Sequence, residues 1–161
     1  MTTPVNRIMV YIDGTEQSIT AAMYGLALAK FIGSELVALY IINTKALNDL
    51  VKARIFLKEE QTEYAEDLQA DAERYLKHVK DLAEKKDVPI ETISLTGSVH
   101  QEIVNMVKQK EIDLLVIGEV SRIRSRRDEF YDEAERAMRA VPCSVLIVKD
   151  EERVWDIYNS I

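Results

Sequence analysis

Four arginines fall within six residues of the sequence, and their guanidinium groups are suited to binding phosphate. They are Arg122, Arg124, Arg126 and Arg127. Planar guanidinium forks hold phosphate oxygens in pairs, so this cluster could grip a phosphorylated ligand. Between residues 119 and 135, six acidic side chains accompany the four arginines. Pairing with those acids is the main interpretation, and phosphate binding or contact with an acidic partner are the alternatives.

The other reactive side chains are isolated from one another in the sequence. His78 and His100 share no metal-binding motif, and Cys143 is the single cysteine. Cys143 lies between Pro142 and an apolar run, which is typical of a small packed residue rather than of a reactive thiol. The sequence contains neither a G-x-S-x-G nucleophile motif nor a G-x4-G-K-[S/T] phosphate loop. We therefore predict no catalytic residues and no metal site.

The net charge and the hydropathy of the chain argue against nucleic acid and membranes as binding partners. The chain has 161 residues, with 21 basic and 28 acidic side chains, and a net charge of −7. That charge opposes non-specific attraction to nucleic acid or to an anionic membrane. The sequence has no run of about 18–20 apolar residues that could span a bilayer, and its first residues lack the apolar core of a signal peptide. We therefore expect a soluble cytoplasmic protein that binds neither nucleic acid nor membrane.

Short apolar runs alternate with helical patterns along most of the chain. Most runs are nearly continuous, which is typical of strands covered on both faces in a parallel sheet. The sequence predicts strands at residues 7–13, 36–42, 90–96, 113–118 and 144–149, and helices at 16–32, 59–86, 98–110 and 128–141. The strand at 90–96 alternates apolar and polar residues, which indicates an edge strand. Gly33 has the position of a helix C′ residue, and Ser98 begins a pattern that fits a capping box.

This alternation predicts an α/β fold with a single open, mainly parallel five-stranded sheet and helices on both faces. Ligands of such sheets bind outside the carboxyl ends of the strands. In this sequence that edge would bring together residues 13–15, 42–44 and 118–127. We expect any binding site there.

The last residues carry an apolar stripe with helical spacing. Val154, Ile157, Tyr158 and Ile161 recur at intervals of three or four, with Trp155 beside them. A helix here must bury this stripe, either on its own domain or on a partner subunit. We predict a domain over residues 1–149, followed by an amphipathic extension over 150–161.

Several of these segments, taken in order, resemble the universal stress protein family. The most specific matches are DLLVIG at residues 113–118 and VPCSVLIV at 141–148. Residues 8–18 resemble the family's first strand and turn, residues 39–43 its second strand, and Gly97 with residues 102–104 the start of its third helix. The resemblance covers roughly residues 6–149. It implies a Rossmann-like fold of the adenine nucleotide alpha-hydrolase type.

Nucleotide-binding members of that family carry the pattern G-x2-G-x9-G-[S/T], whose glycines let backbone N–H groups approach phosphate. The matching positions here are Gly118, Ser121, Tyr131 and Asp132, so only the first glycine is present. Asp132 puts a carboxylate where a phosphate-binding hydroxyl is needed. Three more acids surround it: Asp128, Glu129 and Glu133. The chain therefore resembles the branch of the family that lacks the ATP motif, and we expect no cofactor.

The resemblance also assigns roles to two residues outside the glycine pattern. Asp13 matches a position that contacts the nucleotide, and Ile41 matches a position near the adenine. The residues themselves allow another interpretation of each. Asp13 could simply make the turn after the first strand, and Ile41 could belong to the core.

Two functions follow from the resemblance. The first is a non-enzymatic stress-response regulator that acts through dimerisation and partner contacts, without ATP. Dimers of the family commonly form through the last strand, here Val145, Leu146, Ile147 and Val148. The alternative is a sensor that binds ATP or AMP through Asp13, Ile41, Gly118 and the arginine cluster. No catalytic group supports a hydrolase.

Overall fold

Five parallel strands form the centre of the computed structural model, which describes residues 3–43, 48, 58–119 and 129–161. The strands are β1 (Arg7–Ile12), β2 (Glu35–Asn43), β3 (Glu91–Gly97), β4 (Leu114–Gly118) and β5 (Ser144–Val148). They form one sheet in the order β3-β2-β1-β4-β5, and every neighbouring pair is parallel. Each predicted strand end lies within one residue of the observed end. The predicted α/β fold is confirmed.

The described residues include five helices, which cover both faces of the sheet. They are α1 (Glu16–Ile32), α2 (Lys58–Glu84), α3 (Val99–Gln109), α4 (Glu129–Ala140) and α5 (Glu151–Ser160). Helices α1, α2 and α5 pack on one face, and α3 and α4 cover the other. A hydrophobic core lies on each face of the sheet. Because successive side chains of a strand point to opposite faces, β1 contributes side chains alternately to the two cores. Ile8 and Val10 join the first core, and Met9 and Tyr11 join the second.

The burial of each strand follows its place in the sheet. β1 lies in the middle, and all its residues after Arg7 are buried. β3 lies at one edge and alternates between exposed and half-buried residues, which confirms the edge strand predicted from its alternating sequence. β5 forms the other edge, and only Val148 of that strand is buried.

Both ends of α1 are closed by local hydrogen bonds. The Thr15 hydroxyl oxygen accepts a hydrogen bond from the Ser18 N–H at 3.2 Å. At the other end, Gly33 adopts a left-handed conformation with φ of 75° and donates its N–H to the Ala29 carbonyl at 2.8 Å. Glycine reaches this conformation without the steric cost of a Cβ. The role predicted for Gly33 is confirmed.

The start of α3 differs from the prediction. Ser98 is the N-cap residue, but its side chain makes no capping hydrogen bond. The His100 N–H instead donates to Oε2 of Glu133, on α4, at 3.1 Å. The capping-box prediction is wrong, and a carboxylate from a neighbouring helix accepts one N–H group of this first turn instead.

The C-terminal helix α5 buries its apolar stripe on its own domain. Val154 and Tyr158 are 1% and 5% exposed and join the core beneath α1 and α2. The Tyr158 hydroxyl donates to the Leu82 carbonyl at 2.8 Å, and the Lys86 ammonium lies 4.7 Å from the centre of the Tyr158 ring. Of the two alternatives for the tail, docking on its own chain is the one observed. Trp155 remains 45% exposed.

The order of the strands reverses between β1 and β4. β1 is followed along the chain by β2 and β3 on one side of it, whereas β4 and β5 lie on the other side. Since all strands are parallel, Asp13, Asn43 and Gly118 lie along one edge of the sheet. A crevice at such a reversal is where α/β sheets bind ligands.

Within the described part of the chain, no helix has the length and apolar character to cross a bilayer.

Candidate functional site

A cavity of about 310 Å³ opens at the carboxyl edge of the sheet, beside the ends of β1 and β2. Aromatic and aliphatic side chains make up most of its wall, and Asp13 and Glu133 add carboxylates. The other lining residues are Tyr11, Tyr40, Ile41, Ile42, Asn43, Tyr64, Leu68, Val99 and Ala134. The volume lies at the lower end of the range for small-molecule pockets, about 300–1,000 Å³. The cavity therefore suits a small ligand with a flat apolar part.

Asp13 organises the turn that leads from β1 into α1. Its Oδ1 accepts hydrogen bonds from the Thr15 N–H at 2.9 Å and from the Thr15 hydroxyl at 2.6 Å. Thr15 in turn caps α1 through Ser18. The turn-making role considered for Asp13 is thus observed. Asp13 also lines the cavity. Its contact with a ligand therefore remains possible and stays a prediction.

Glu133 places a carboxylate at the first turn of α3, where it accepts the His100 N–H. A helix N-terminus offers unpaired N–H groups and a partial positive charge, and it is a favourable place for an anionic ligand group. In this protein a side chain of α4 already satisfies one of those donors. The arrangement stabilises the junction of α3 and α4 and adds negative charge to the cavity wall.

Burial and nearby charges both act on two tyrosines of the cavity wall. Burial raises the pKa of the Tyr11 phenol, and the negative charges of Asp13 and Glu133 raise it further. Burial also raises the pKa of Tyr40, again with contributions from nearby acids, of which Asp71 is the largest. Burial is the largest cause for both phenols, and Arg74 partly offsets the acids around Tyr40. Among the described residues, Asp13 and Glu133 add negative charge beside the Tyr11 ring.

An aromatic stack closes the side of the cavity towards α2. The rings of Tyr40 and Tyr75 are stacked, with centroids 6.0 Å apart and planes 12° from parallel. The Arg74 guanidinium lies 5.1 Å from the centre of the Tyr75 ring and pairs with Asp71 at 2.7 Å. The Tyr75 ring also packs against Gly14, where a Cβ would approach the ring to 2.8 Å. This contact and a φ of 85° both favour glycine at that turn.

Gly118 lies outside the lining of the cavity. It allows the first turn of α1 to pass directly over β4. A Cβ at Gly118 would overlap the Gln17 carbonyl oxygen and would come within 2.9 Å of the Ser18 nitrogen. Packing between a helix and a strand therefore accounts for this glycine without any ligand.

The structure brings together only part of the predicted site. Asp13 and Ile41 both line the cavity, and Ile41 is also buried in the second core, as its alternative role required. Outside the described residues lie Ser121, Arg122, Arg124, Arg126 and Arg127, as well as the side chain of Asp132. Their predicted roles stay predictions.

Several cavity residues were missed by the sequence analysis. Tyr11, Tyr40 and Tyr64 line the cavity, yet each falls in an apolar pattern that predicted only burial. Glu133 was predicted to add charge at the start of its own helix, and it acts on α3 instead. The one available signal was the position of Tyr11 and Tyr40 near the carboxyl ends of their strands.

The histidines and the cysteine belong to no metal-binding cluster within the described residues. No cluster of three or more His, Cys, Asp or Glu side chains there could hold a metal ion. Cys143 is half-buried against the second core, and burial raises the pKa of its thiol. A thiol in this setting is a packing group rather than a nucleophile.

The sequence model of the Universal stress protein family matches residues 4–149 of this chain. The chain belongs to the universal stress protein family. A universal stress protein of Methanocaldococcus jannaschii, MJ0531, is 30% identical over 147 residues, covering 91% of this chain and 84% of that relative. The resemblance drawn from the sequence is confirmed. All of α5 lies beyond the matched residues of this universal stress protein.

Two solved structures of universal stress proteins share this fold. One is a universal stress protein in complex with cAMP, with a TM-score of 0.66 and 19% identity over 91% of this chain and 99% of that one. The other, from Arabidopsis thaliana with AMP bound, has a TM-score of 0.65 and 15% identity over 89% of this chain and 91% of that one. At these identities the likeness establishes the fold.

Proposed function

We propose that this universal stress protein is a non-enzymatic regulator that acts through contacts between proteins and does not use ATP. The observation that carries the proposal is the Glu133 carboxylate at the first turn of α3. It takes up an N–H group that would otherwise be available to a phosphate. The glycine pattern that could supply other phosphate contacts is reduced to Gly118, which packing alone explains.

Charge repulsion supports the exclusion of ATP. A polyphosphate in the cavity would bring several negative charges close to Glu133 and Asp13. At an effective dielectric constant of about 20, two unit charges about 5 Å apart repel by roughly 3 kcal/mol. Asp13 is exposed, so solvent screens its repulsion of the phosphates. Glu133 is half-buried and is expected to contribute more.

The outer edge of β5 is the surface through which we propose that two copies associate. Among the described residues β5 pairs only with β4, so its outer edge presents unpaired backbone groups. Ile147 is 42% exposed, and Val145 and Leu146 are half-buried. Val148 is buried in its own core, so it would contribute through its backbone. Pairing of two β5 strands would satisfy the edge and cover Ile147.

The cavity favours a second candidate function, the sensing of an adenine ligand that carries little charge. Its walls of Tyr11, Tyr40 and Ile41 provide apolar and aromatic surface for a planar base. The related structures in complex with cAMP and AMP support this candidate, because both ligands carry fewer negative charges than ATP. The position of Asp13 at the cavity wall agrees with the contact implied by the family resemblance.

Calorimetric titration with ATP, AMP and adenosine tests both candidates. We expect no binding of ATP at micromolar concentration, because its phosphates meet the carboxylates of the cavity. Binding of adenosine or AMP would support the second candidate function. Micromolar affinity for ATP would contradict the proposed exclusion.

The Glu133→Gln variant isolates the role of charge. The glutamine amide oxygen can still accept the His100 N–H, so the junction of α3 and α4 is expected to persist. Removal of the negative charge should raise the affinity for AMP about tenfold or more. The control is Glu135→Gln, since Glu135 pairs with Arg139 at 3.1 Å and lies outside the cavity lining. Unchanged AMP affinity in the Glu133 variant would refute electrostatic exclusion.

A further inference from the structure

A second groove, of about 480 Å³, lies on the other side of the turn formed by residues 13–15. It runs between the first turns of α1, the middle of α2 and the start of α5. Its apolar part includes Ile19, Met23 and Tyr75. Gly14 lines this groove, whereas Asp13 lines the cavity described above. The Tyr40 and Tyr75 stack lies between the two spaces.

One wall of the groove comes from the C-terminal helix, which lies entirely beyond the residues that match the family. Glu151 and Trp155 on α5 line the groove. The Asp150 carboxylate caps the helix by accepting the Arg153 N–H at 3.2 Å, and the Tyr158 hydrogen bond to Leu82 attaches the helix to the domain. The wall is therefore built on a docked element, and it is an addition to the matched domain.

Two exposed carboxylates give the groove its charge. Glu16 and Glu151 each lie in the first turn of a helix, and neither forms an ion pair with any other residue that the structure describes. Arg74 also lines the groove, but its charge is compensated by Asp71 at 2.7 Å. His78 also lines the groove, and with histidine counted as neutral the groove presents net negative charge above an apolar floor.

Aromatic faces in the groove add attraction for a cation. The Arg74 guanidinium already lies over the Tyr75 ring, 5.1 Å from its centre. The Trp155 indole is 45% exposed and offers a further face at the rim. Indole is the ring that attracts cations most strongly. The carboxylates and the indole therefore both favour a positively charged ligand.

We propose that this groove binds a small organic cation, an ammonium or guanidinium group joined to an apolar body. The cationic group would lie near Glu16, Glu151 and the Trp155 face. The apolar body would cover Ile19, Met23 and Tyr75. The groove volume is within the range of small-molecule pockets, about 300–1,000 Å³. Charge complementarity selects a cation over an anion of the same shape.

A pair of probes that differ in charge tests the proposal on the unmodified protein. Phenethylammonium and 3-phenylpropionate carry the same ring on a short chain with opposite charges. Trp155 is the single tryptophan of the chain, so its fluorescence reports on the groove. We expect phenethylammonium to change that fluorescence in a saturable manner and 3-phenylpropionate not to do so. Equal binding of the two probes, or no saturable change with the cation, would overturn the proposal.

Charge-removing variants then locate the site, with calorimetry as a second measure of affinity. Glu16→Gln and Glu151→Gln should each weaken phenethylammonium binding about two- to five-fold, as expected for exposed ionic contacts. Glu152→Gln is the matched control, because it removes the same charge from the same turn of α5 but lies outside the groove lining. An equal loss in the control would show general attraction to an acidic protein and would refute a specific site.

Discussion

Gly118 and Gly25 lie where α1 comes closest to the sheet. A Cβ at Gly25 would come within 2.7 Å of a methyl group of Val10 on β1, and one at Gly118 would overlap the backbone of Gln17. The two contacts differ in kind, since a methyl group can move by rotation of its side chain and a backbone carbonyl cannot. Gly118 therefore fixes how tightly the first turn of α1 lies against β4.

We expect Gly118→Ala to destabilise the protein by about 1–3 kcal/mol, the usual cost of added volume in a packed interior. The measurement is unfolding in denaturant, followed by circular dichroism. Gly33→Asn is the control, because a Cβ at that position would meet no atom within 4 Å, and asparagine tolerates its left-handed conformation. The control should change stability much less. A Gly118→Ala protein as stable as the original would show that α1 can move away from β4 at no cost.

At the scale of whole elements, α5 is attached to the rest of the described chain by the buried hydrogen bond from Tyr158 to Leu82, by contacts with Lys86 and by an apolar contact. Val154 and Tyr158 enter the core, while residues on the opposite side of the helix stay exposed. The Lys86 ammonium donates to the Ile161 carbonyl at 3.0 Å and also contacts the Tyr158 ring. Most of these contacts depend on Tyr158.

The Tyr158→Phe variant should lose about 1–2 kcal/mol of stability, because the buried Leu82 carbonyl loses its hydrogen-bond donor. The ring and its apolar contacts remain, so α5 should stay docked under native conditions. Denaturant unfolding measures the loss. Ser160→Ala is the control, since that exposed hydroxyl bonds only within its own helix, to the Ile157 carbonyl. Equal stability of Tyr158→Phe and the original protein would show that the hydrogen bond contributes nothing to docking.

At the scale of the whole molecule, the two edges of the sheet differ in their protection. β3 carries polar side chains at alternate positions, which discourage pairing with another sheet. β5 instead presents apolar side chains, including the exposed Ile147.

We expect the original protein to have the mass of a dimer in light scattering and the Ile147→Lys variant to have the mass of a monomer. A lysine at this exposed site should not disturb the fold, but two lysines would face each other across the proposed strand pair. Phe31→Lys is the control, because Phe31 is the most exposed large apolar residue among those the structure describes, at 86%, and lies at the end of α1. An unchanged dimer in the Ile147 variant would place the interface elsewhere.

The sequence was sufficient to predict the sheet, because the continuous apolar runs of β1 and β4 have few other solutions than a strand covered on both faces. It was not sufficient for the cavity. The role of Glu133 depends on how closely α4 approaches α3, and no local pattern encodes that distance. The docking of α5 likewise depends on Leu82, which lies 76 residues earlier in the chain. Periodicity revealed the stripe of α5 but not the surface that receives it.

The close contact of α1 with β4 bears on which motif glycines the members of this family are expected to retain. If packing alone demands glycine at the position of Gly118, relatives that have given up polyphosphate should keep it after their other motif glycines have drifted away. The presence of that first glycine would then reflect the packing of a helix on a strand. It would not be evidence that an ancestor bound the ligand.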